Sequence, residues 1–224
     1  MNLHRQSMTI PGYTITLPRG REPLLKRPLD MILSVFLLIL AALIAVLVVL
    51  AIKLGDRGPL FYTQERWGRG GKKFKVYKFR TMIPNSDHLF GLQQAKENDH
   101  RITRVGRILR AMGLDELPQI LNIFRGEMSF VGPRALAVGE LVQDGQGNRI
   151  TYEHLPGFHE RLAVRPGLTS LATISLPKDT NPHRKFRYDL LYIRHQSIWL
   201  DLRLIALSIW ISIRGKWESR GKKV

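Results

Sequence analysis

Cysteine is missing from the 224-residue sequence, which excludes disulfide bonds and thiolate metal sites and leaves the redox compartment open. Acidic residues are scarce, because 18 Asp and Glu stand against 35 Lys and Arg, and the formal net charge is +17. A charge this uneven predicts a polyanionic partner, which is nucleic acid, anionic lipid headgroups or a phosphorylated substrate. The length suffices for one ordinary domain and part of another.

Charge is also missing from residues 31–52, where Ser34 is the only polar side chain. A helix over this run would be about 33 Å long, enough to cross a hydrocarbon core of about 30 Å. A cleaved signal peptide fits poorly, since the run starts late, is too long and lacks a small-residue cleavage site. We therefore predict a membrane helix over residues 26–53.

The topology of this helix is left open by its basic flanks. Positive charge favours the cytoplasmic side, and here both ends qualify. Two crossings would need about 40 residues, so the helix is either re-entrant or a single span with the N-terminal arm outside. A bend in lipid usually needs Pro or a Gly/Ser break, and the middle of the run offers only Ala41-Ala42. The flanking basic residues are Arg19, Arg21, Lys26 and Arg27 upstream and Lys53, Arg57, Arg66, Arg69, Lys72 and Lys73 downstream.

Residues 1–25 contain three prolines and no sustained periodicity, which predicts an arm with little structure of its own. After the membrane helix, the segments LFYTQ and FKVYKFRTM flank a glycine-rich stretch and predict a β-hairpin. No strand–GxxxxGK[ST]–helix pattern accompanies the glycines, so turn residues are favoured over a phosphate cradle. Lys78 and Arg80 lie near the end of the second strand and face either a site or solvent.

The segment from Arg104 to Leu136 carries the adjacent acids Asp115 and Glu116. Apolar residues recur after them at helical spacing, which predicts a helix with Asp115 as its N-cap and Pro118 in its first turn. A helix N-terminus attracts anions, and two acids among five arginines indicate a phosphate site. The five arginines are Arg104, Arg107, Arg110, Arg125 and Arg134.

The C-terminal part mixes apolar residues with three tryptophans and scattered arginines. The apolar run over residues 204–213 is too short to span a membrane. Amphipathic helices in the headgroup layer fit this composition, with Trp199, Trp210 and Trp217 at the interface, and ordinary core helices are the alternative.

Several motifs occur together, namely KRPLD, GPLFYTQERWGRGGKKFKVYKFRTM, RVGRILRAMGLDELPQILNIFRGEMSFVGPRAL, VRPGLTS and FRYDLLYIR. This combination resembles the bacterial sugar transferases, the monotopic phosphoglycosyl transferases, over residues 26 to about 213. The resemblance implies transfer of a sugar-1-phosphate from a nucleoside-diphosphate sugar to polyprenyl (undecaprenyl) phosphate. The resemblance also implies that UMP is released when the donor is a UDP-sugar, and that the reaction belongs to glycoconjugate synthesis at the cytoplasmic face of the bacterial inner membrane.

The expected fold is α+β and mostly helical, with a re-entrant or single-span membrane helix, a small β-hairpin, a catalytic helix and C-terminal interfacial helices. Its parts are an N-terminal arm (1–25), the membrane helix (26–53) and a cytoplasmic, membrane-associated catalytic domain (54–224). The implied cofactor is Mg²⁺, and membrane lipids are expected partners. The oligomeric state stays open, a homodimer included.

By this resemblance, Asp115 is the nucleophile that forms a phosphosugar-aspartyl intermediate, for which an ionised carboxylate is suited. Glu116 assists with Mg²⁺ or acts in the second step, and the two acids are the implied metal ligands, since Mg²⁺ needs only one or two carboxylates beside phosphate oxygens. The candidates for binding phosphate are Arg110, Arg134, Arg165, Lys78 and Arg80.

Three places depart from the family pattern. The usual Ser-Pro in the membrane helix reads Ala42-Leu43, and the PRP loop reads Pro133-Arg134-Ala135. A GWAQ-like stretch reads SLAT over residues 170–173, which points to a different sugar or nucleotide pocket.

A hypothesis of another class is a non-catalytic, basic, membrane-tethered protein that holds anionic lipid or nucleic acid. Its affinity would survive loss of Asp115 and Glu116 and would fall steeply with salt. No helix-turn-helix, RNP-like or basic-repeat pattern supports nucleic acid. The acids favour the enzyme, because a pure anion binder gains nothing from carboxylates inside its basic patch.

Overall fold

The protein is described by a computed structural model over residues 7–10, 13–16, 22–56, 58–91, 95, 99–143 and 148–219. Within these residues the fold is mixed α/β, and the strands form two-stranded pairs, β1–β2, β3–β4, β5–β8 and β6–β7, of which β5–β8 is parallel. The helices are α1 (Lys26–Asp56), α2 (Ser86–Phe90), α3 (Arg104–Met112), α4 (Ile120–Arg125), α5 (Phe158–Arg161), α6 (Leu171–Ser175), α7 (Pro182–His195) and α8 (Ile198–Ile213). The strands are β1 (Ser7–Ile10), β2 (Tyr13–Thr16), β3 (Phe61–Trp67), β4 (Lys73–Phe79), β5 (Ser129–Val131), β6 (Leu141–Gln143), β7 (Arg149–Thr151) and β8 (Gly167–Thr169).

The predicted long apolar helix is confirmed as α1, which is long and apolar enough to cross a membrane. Many of its apolar side chains are exposed, among them Ile32, Leu43 and Leu47. An apolar surface of this extent on a protein needs a lipid or protein cover, and its composition fits lipid. The predicted flanking residues Arg19, Arg21 and Arg57 lie outside the described residues.

Both ends of α1 pack against the rest of the chain. At its start, Lys26 forms a buried ion pair with Asp201 of α8, and Asp30 accepts hydrogen bonds from the Ser129 hydroxyl (3.1 Å) and the Phe130 N–H (3.2 Å). Near its end, Val48 and Ile52 are buried in a cluster with Phe79, Leu109 and neighbouring apolar residues. The two ends of the helix therefore contact the same folded body.

We expect the substitution Lys26→Met to destabilise the protein by about 3 kcal/mol, because it leaves the Asp201 carboxylate buried without its cation. The side chains of Lys26 and Asp201 are each only 3% exposed, and Tyr192 donates to Asp201 at 2.6 Å. Thermal unfolding in detergent measures the loss. The double variant Lys26→Met/Asp201→Leu should recover part of it, whereas equal instability of both variants would contradict a pairwise role.

The predicted hairpin is confirmed as β3–β4, with Phe61 opposite Phe79 and Trp67 opposite Lys73. The glycines lie in its turn, where Gly70 has a φ of 67°, so they act as turn residues. Val76 and Phe79 on β4 are buried, and β4 packs against the segment that carries the two acids. The hairpin therefore places Lys78 beside that segment.

The acids do not begin an α-helix, so the predicted N-cap role of Asp115 is wrong. Asp115 and Glu116 lie in a 3₁₀ helix, Leu114–Gln119, which follows Gly113, and α4 begins only at Ile120. The reason is that Gly113 ends α3 in the left-handed conformation (φ 70°), and its carbonyl accepts the Glu116 N–H at 3.3 Å. The Asp115 carboxylate is therefore not used in capping.

Parallel strands β5 and β8 lie in the main core with Ile123, Met128, Val164, Tyr192 and Ile211. The turns after β5 and before β8 touch closely, since a Cβ on Gly167 would lie 2.1 Å from the Gly132 nitrogen. Only glycine allows this approach. Residues 132–134, the GPR turn, and residues 165–167, the RPG turn, are therefore neighbours.

The N-terminal arm and α8 are the two remaining regions for which the sequence made a prediction. The pairing of β1 with β2 gives the N-terminal arm local structure that its sequence did not predict, while residues 1–6, 11–12 and 17–21 lie outside the described residues. At the C-terminal end, α8 buries Leu204 and Ile211 in the main core and exposes Trp199 and Ile213. It thus has both a core face and an exposed apolar face.

Candidate active site

A cleft of about 950 Å³ lies between the hairpin, the 3₁₀ helix of the acids, α6 and α8, and it reaches α1. The part of its wall formed by α1 is apolar and consists of Leu37, Leu40, Ala41 and Ile44. The charged lining residues include Asp115, Glu116, Lys78, Arg80, Arg110, Arg134, Lys178, Lys185 and Glu218. The cleft thus joins an apolar surface to a charged one that contains the two adjacent acids.

Asp115 presents a carboxylate that has no ion-pair partner among the described residues and is only 7% exposed. Burial raises its pKa, the charges of Lys78 and Arg110 oppose the rise, and the adjacent Glu116 adds to it. When Asp115 is ionised, no cation among the described residues neutralises its charge by direct contact.

Glu116 is held differently from its neighbour. Its Oε1 accepts from Lys78 Nζ at 2.5 Å, and the Arg134 guanidinium lies 4.0 Å from the same oxygen. Burial alone would raise its pKa, but the charges of Lys78 and Arg134 outweigh burial and lower the pKa to about 2. Glu116 is therefore an ionised carboxylate that Lys78 neutralises by direct contact, whereas Asp115 has no such contact among the described residues.

The structure brings four of the five predicted phosphate-binding residues to this cleft. Lys78 contacts Glu116, and Arg134 leaves nearly half of its side chain exposed there. Arg110 donates to the Thr81 hydroxyl at 3.4 Å. Arg80 is buried and rests on Gly58, where a Cβ would lie 2.4 Å from its Nη1.

Arg165 is not brought to the cleft. Its guanidinium makes a bidentate pair with Glu22 (Nη2 to Oε2 2.7 Å, Nε to Oε1 3.1 Å) and lies 3.9 Å from Asp30. The RPG turn does neighbour the GPR turn, because the Gly167 N–H donates to the Pro133 carbonyl at 2.9 Å. The side chain nevertheless leaves the turn towards the start of α1, so its observed contacts are structural.

The sequence analysis missed several charged cleft residues, among them Lys178, Lys185 and Glu218. Burial lowers the pKa of Lys185 to about 8, and its ammonium donates to the Lys178 carbonyl at 2.6 Å. Glu218 contacts both Lys178 and Arg110. No motif marks these residues, because they come from segments distant in sequence that only the fold brings to the acids.

The two acids fit a magnesium ion that shares its coordination with phosphate oxygens. No group of three or more His, Asp, Glu or Cys side chains that could hold a metal occurs among the residues described. Asp115 has no competing cation, and only one oxygen of Glu116 contacts Lys78. Two carboxylates are enough for Mg²⁺, which prefers one or two of them together with phosphate oxygens and water.

Comparisons with known proteins identify the family of the chain. The family model "Bacterial sugar transferase" matches residues 21–215. An undecaprenyl-phosphate glucose phosphotransferase of Komagataeibacter xylinus is 41% identical over 82% of this chain and 35% of its own length. A UDP-glucose:undecaprenyl-phosphate glucose-1-phosphate transferase of Escherichia coli (strain K12) is 37% identical over 90% of this chain and 42% of its own.

The exopolysaccharide production protein PSS of Rhizobium leguminosarum bv. phaseoli is 41% identical over 81% of this chain and 91% of its own length. The chain thus spans well under half of the first two relatives and most of the third. The match of the family model covers nearly the whole chain, including both acids and all of α8. The chain belongs to the bacterial sugar transferase family.

Proposed function

We propose that the chain transfers a sugar-1-phosphate from a UDP-sugar to undecaprenyl phosphate or a similar polyprenyl phosphate. The observation that carries this proposal is the contrast between two adjacent carboxylates in one basic cleft, where Asp115 lacks a cationic partner and Glu116 is neutralised by Lys78. The names of the E. coli and K. xylinus relatives support the substrate classes.

In the first step, an Asp115 oxygen attacks the β-phosphorus of the donor. The bond from that phosphorus to the oxygen bridging the two phosphates breaks, UMP leaves with the bridging oxygen, and the sugar phosphate stays on Asp115 as an acyl phosphate. The guanidinium of Arg134, half exposed in the cleft, is placed to bind diphosphate oxygens. Arg110 and Lys78 extend the positive lining towards them.

In the second step, a phosphate oxygen of the polyprenyl phosphate attacks the same phosphorus. The bond to Asp115 breaks, which regenerates the carboxylate and yields a polyprenyl-diphospho-sugar. Apolar residues of α1 line the cleft beside the acids, and they fit a lipid chain that enters from the membrane. The product would begin the membrane stage of bacterial glycoconjugate synthesis.

Asp115 and Glu116 would hold Mg²⁺ together with the substrate phosphates. The ion would supply charge neutralisation for the leaving phosphate. Lys78 keeps Glu116 ionised, so this ligand remains available over the whole physiological pH range.

A donor screen tests the proposed reaction. Purified protein in detergent with Mg²⁺ and undecaprenyl phosphate should release UMP from at least one UDP-sugar, with UDP-glucose the first to try. Release should require the polyprenyl phosphate for multiple turnovers. Binding of lipid without any release of nucleoside monophosphate, across all UDP-sugars, would support the non-catalytic alternative instead.

We further propose that α1 enters the cytoplasmic leaflet of the inner membrane and keeps both ends on the cytoplasmic side, with the exposed apolar face of α8 in the headgroup layer. The contacts of both ends of α1 with one folded body support this arrangement over a straight span. Both basic flanks agree with it.

Single cysteines test this topology without background, because the chain has none. We expect cysteines introduced at Ser7 and Ser219 to be equally protected from a membrane-impermeant thiol reagent in intact cells and equally labelled after lysis. Labelling of the Ser7 position alone in intact cells would establish a single span.

A further inference from the structure

The segment after α8 turns back into the cleft. The Trp217 N–H donates to the Ala111 carbonyl at 3.1 Å, and its indole Nε1 donates to the Ser212 hydroxyl at 2.7 Å. The indole packs on Gly113, where a Cβ would lie 2.8 Å from the ring. These contacts hold the segment against the turn that precedes Asp115, and the next residue, Glu218, lines the cleft.

Glu218 places its carboxylate between two cations of the cleft. Its Oε1 lies 3.4 Å from Arg110 Nε, and its Oε2 accepts a hydrogen bond from Lys178 Nζ. Burial opposes its charge, but Arg110 and Lys178 outweigh burial and lower its pKa. The residue is therefore a negative group that already occupies part of the basic lining.

This carboxylate only partly satisfies the cations. The Nε of Arg110 is buried and makes no hydrogen bond within the described part of the chain, although the Glu218 carboxylate lies 3.4 Å from it. A phosphate group offers more acceptor oxygens and binds guanidinium and ammonium groups more fully. The Glu218 side chain is 37% exposed, and ion pairs at that exposure contribute little to stability. Replacing the Glu218 carboxylate by a phosphate group therefore costs little free energy.

We propose that Arg110 and Lys178 form a phosphate subsite which Glu218 occupies until a substrate phosphate displaces it. The inference rests on the proposed function and adds Lys178 as a binding residue and Glu218 as an internal competitor. Two substrates carry the required group, the diphosphate of the UDP-sugar and the terminal phosphate of the polyprenyl phosphate. The chemistry is shared, and the experiment separates the two sources.

Equilibrium binding to full-length protein carrying Asp115→Asn, which we expect to bind ligands without turnover, tests the subsite. The probes are UDP-glucose and undecaprenyl phosphate in detergent, each titrated alone. Glu218→Gln should lower the Kd of one probe about two- to fivefold, because the competing charge is gone. Lys178→Ala should raise the Kd of the same probe about tenfold, and Lys178→Arg should stay near the parent.

The probe whose Kd responds identifies whether the donor or the acceptor phosphate uses the subsite. Glu65→Gln and Lys75→Met, which remove the same charges from exposed positions of the hairpin, are the controls and should change neither Kd. Weaker binding of both probes to Glu218→Gln would assign the residue a purely structural role and overturn the proposal, and so would an unchanged Kd for both.

The binding experiment and the donor screen can fail independently of each other. Opposite shifts for Glu218→Gln and Lys178→Ala in a protein that releases no UMP would reject the proposed reaction and support the subsite. Turnover by the parent without opposite shifts would support the reaction and reject the subsite.

Discussion

The substitution Asp115→Asn is expected to lower the rate of UMP release from a UDP-sugar by at least about 10³-fold, because the amide cannot form the acyl phosphate. The measurement is the initial rate in the presence of undecaprenyl phosphate and Mg²⁺. Glu65→Gln is the matched control, since it removes a carboxylate from an exposed position of β3 and should leave the rate unchanged.

The Asp115→Asn protein should also be at least as stable as the parent. A carboxyl group whose pKa is raised in the folded state opposes folding when it ionises, so at neutral pH the neutral amide removes that cost. Thermal unfolding therefore distinguishes loss of the nucleophile from loss of the folded structure as the cause of lost activity. A variant that turns over like the parent would refute Asp115 as the nucleophile.

Replacement of Lys78 by Met should reduce kcat/KM about 10²-fold at neutral pH and shift the acid limb of its pH profile upward. Lys78 is the leading charge that lowers the pKa of both acids, so its loss raises both pKa values. The acid limb of the parent should already lie above the ordinary aspartate pKa of 3.8, because burial raises the pKa of Asp115. Profiles of kcat/KM from about pH 4 to 9 measure the shift.

Stability should change in the same variant. The pKa of Glu116 is lowered to about 2, so its ionised form stabilises the fold above the ordinary value of 4.5 and loses that effect as the pH falls towards 2. Removing Lys78 should cost about 2 kcal/mol near neutral pH, since the pair is largely but not fully buried. Lys78→Arg should retain most of the activity and most of the stability of the parent, and Lys75→Met is the control from the same strand. An unchanged acid limb in Lys78→Met would contradict the proposed coupling.

The local patterns of the sequence predicted the elements that depend on neighbours along the chain. The apolar run gave α1, and alternating aromatic residues around glycines gave the β3–β4 hairpin. The acids and the basic residues Lys78, Arg110 and Arg134 were predicted as one site, and the fold does bring them together.

The sequence did not predict the directions of individual side chains or the contacts between segments that are distant in sequence. A spacing rule placed Asp115 at a helix N-cap, but Gly113 ends the preceding helix and sets a 3₁₀ turn that aims the carboxylate into the cleft. The VRPGLTS motif was recognised in the sequence, yet only the packed structure shows that Arg165 turns towards Glu22. Glu218 lies about a hundred residues beyond the acids, and no local pattern links the two.

The most direct test of the account is mass spectrometry of the protein quenched after mixing with its UDP-sugar donor in the absence of polyprenyl phosphate. The account predicts one added sugar phosphate, located on the peptide that contains Asp115 and absent from Asp115→Asn. Product formation at the normal rate with no such adduct at any quench time would contradict it.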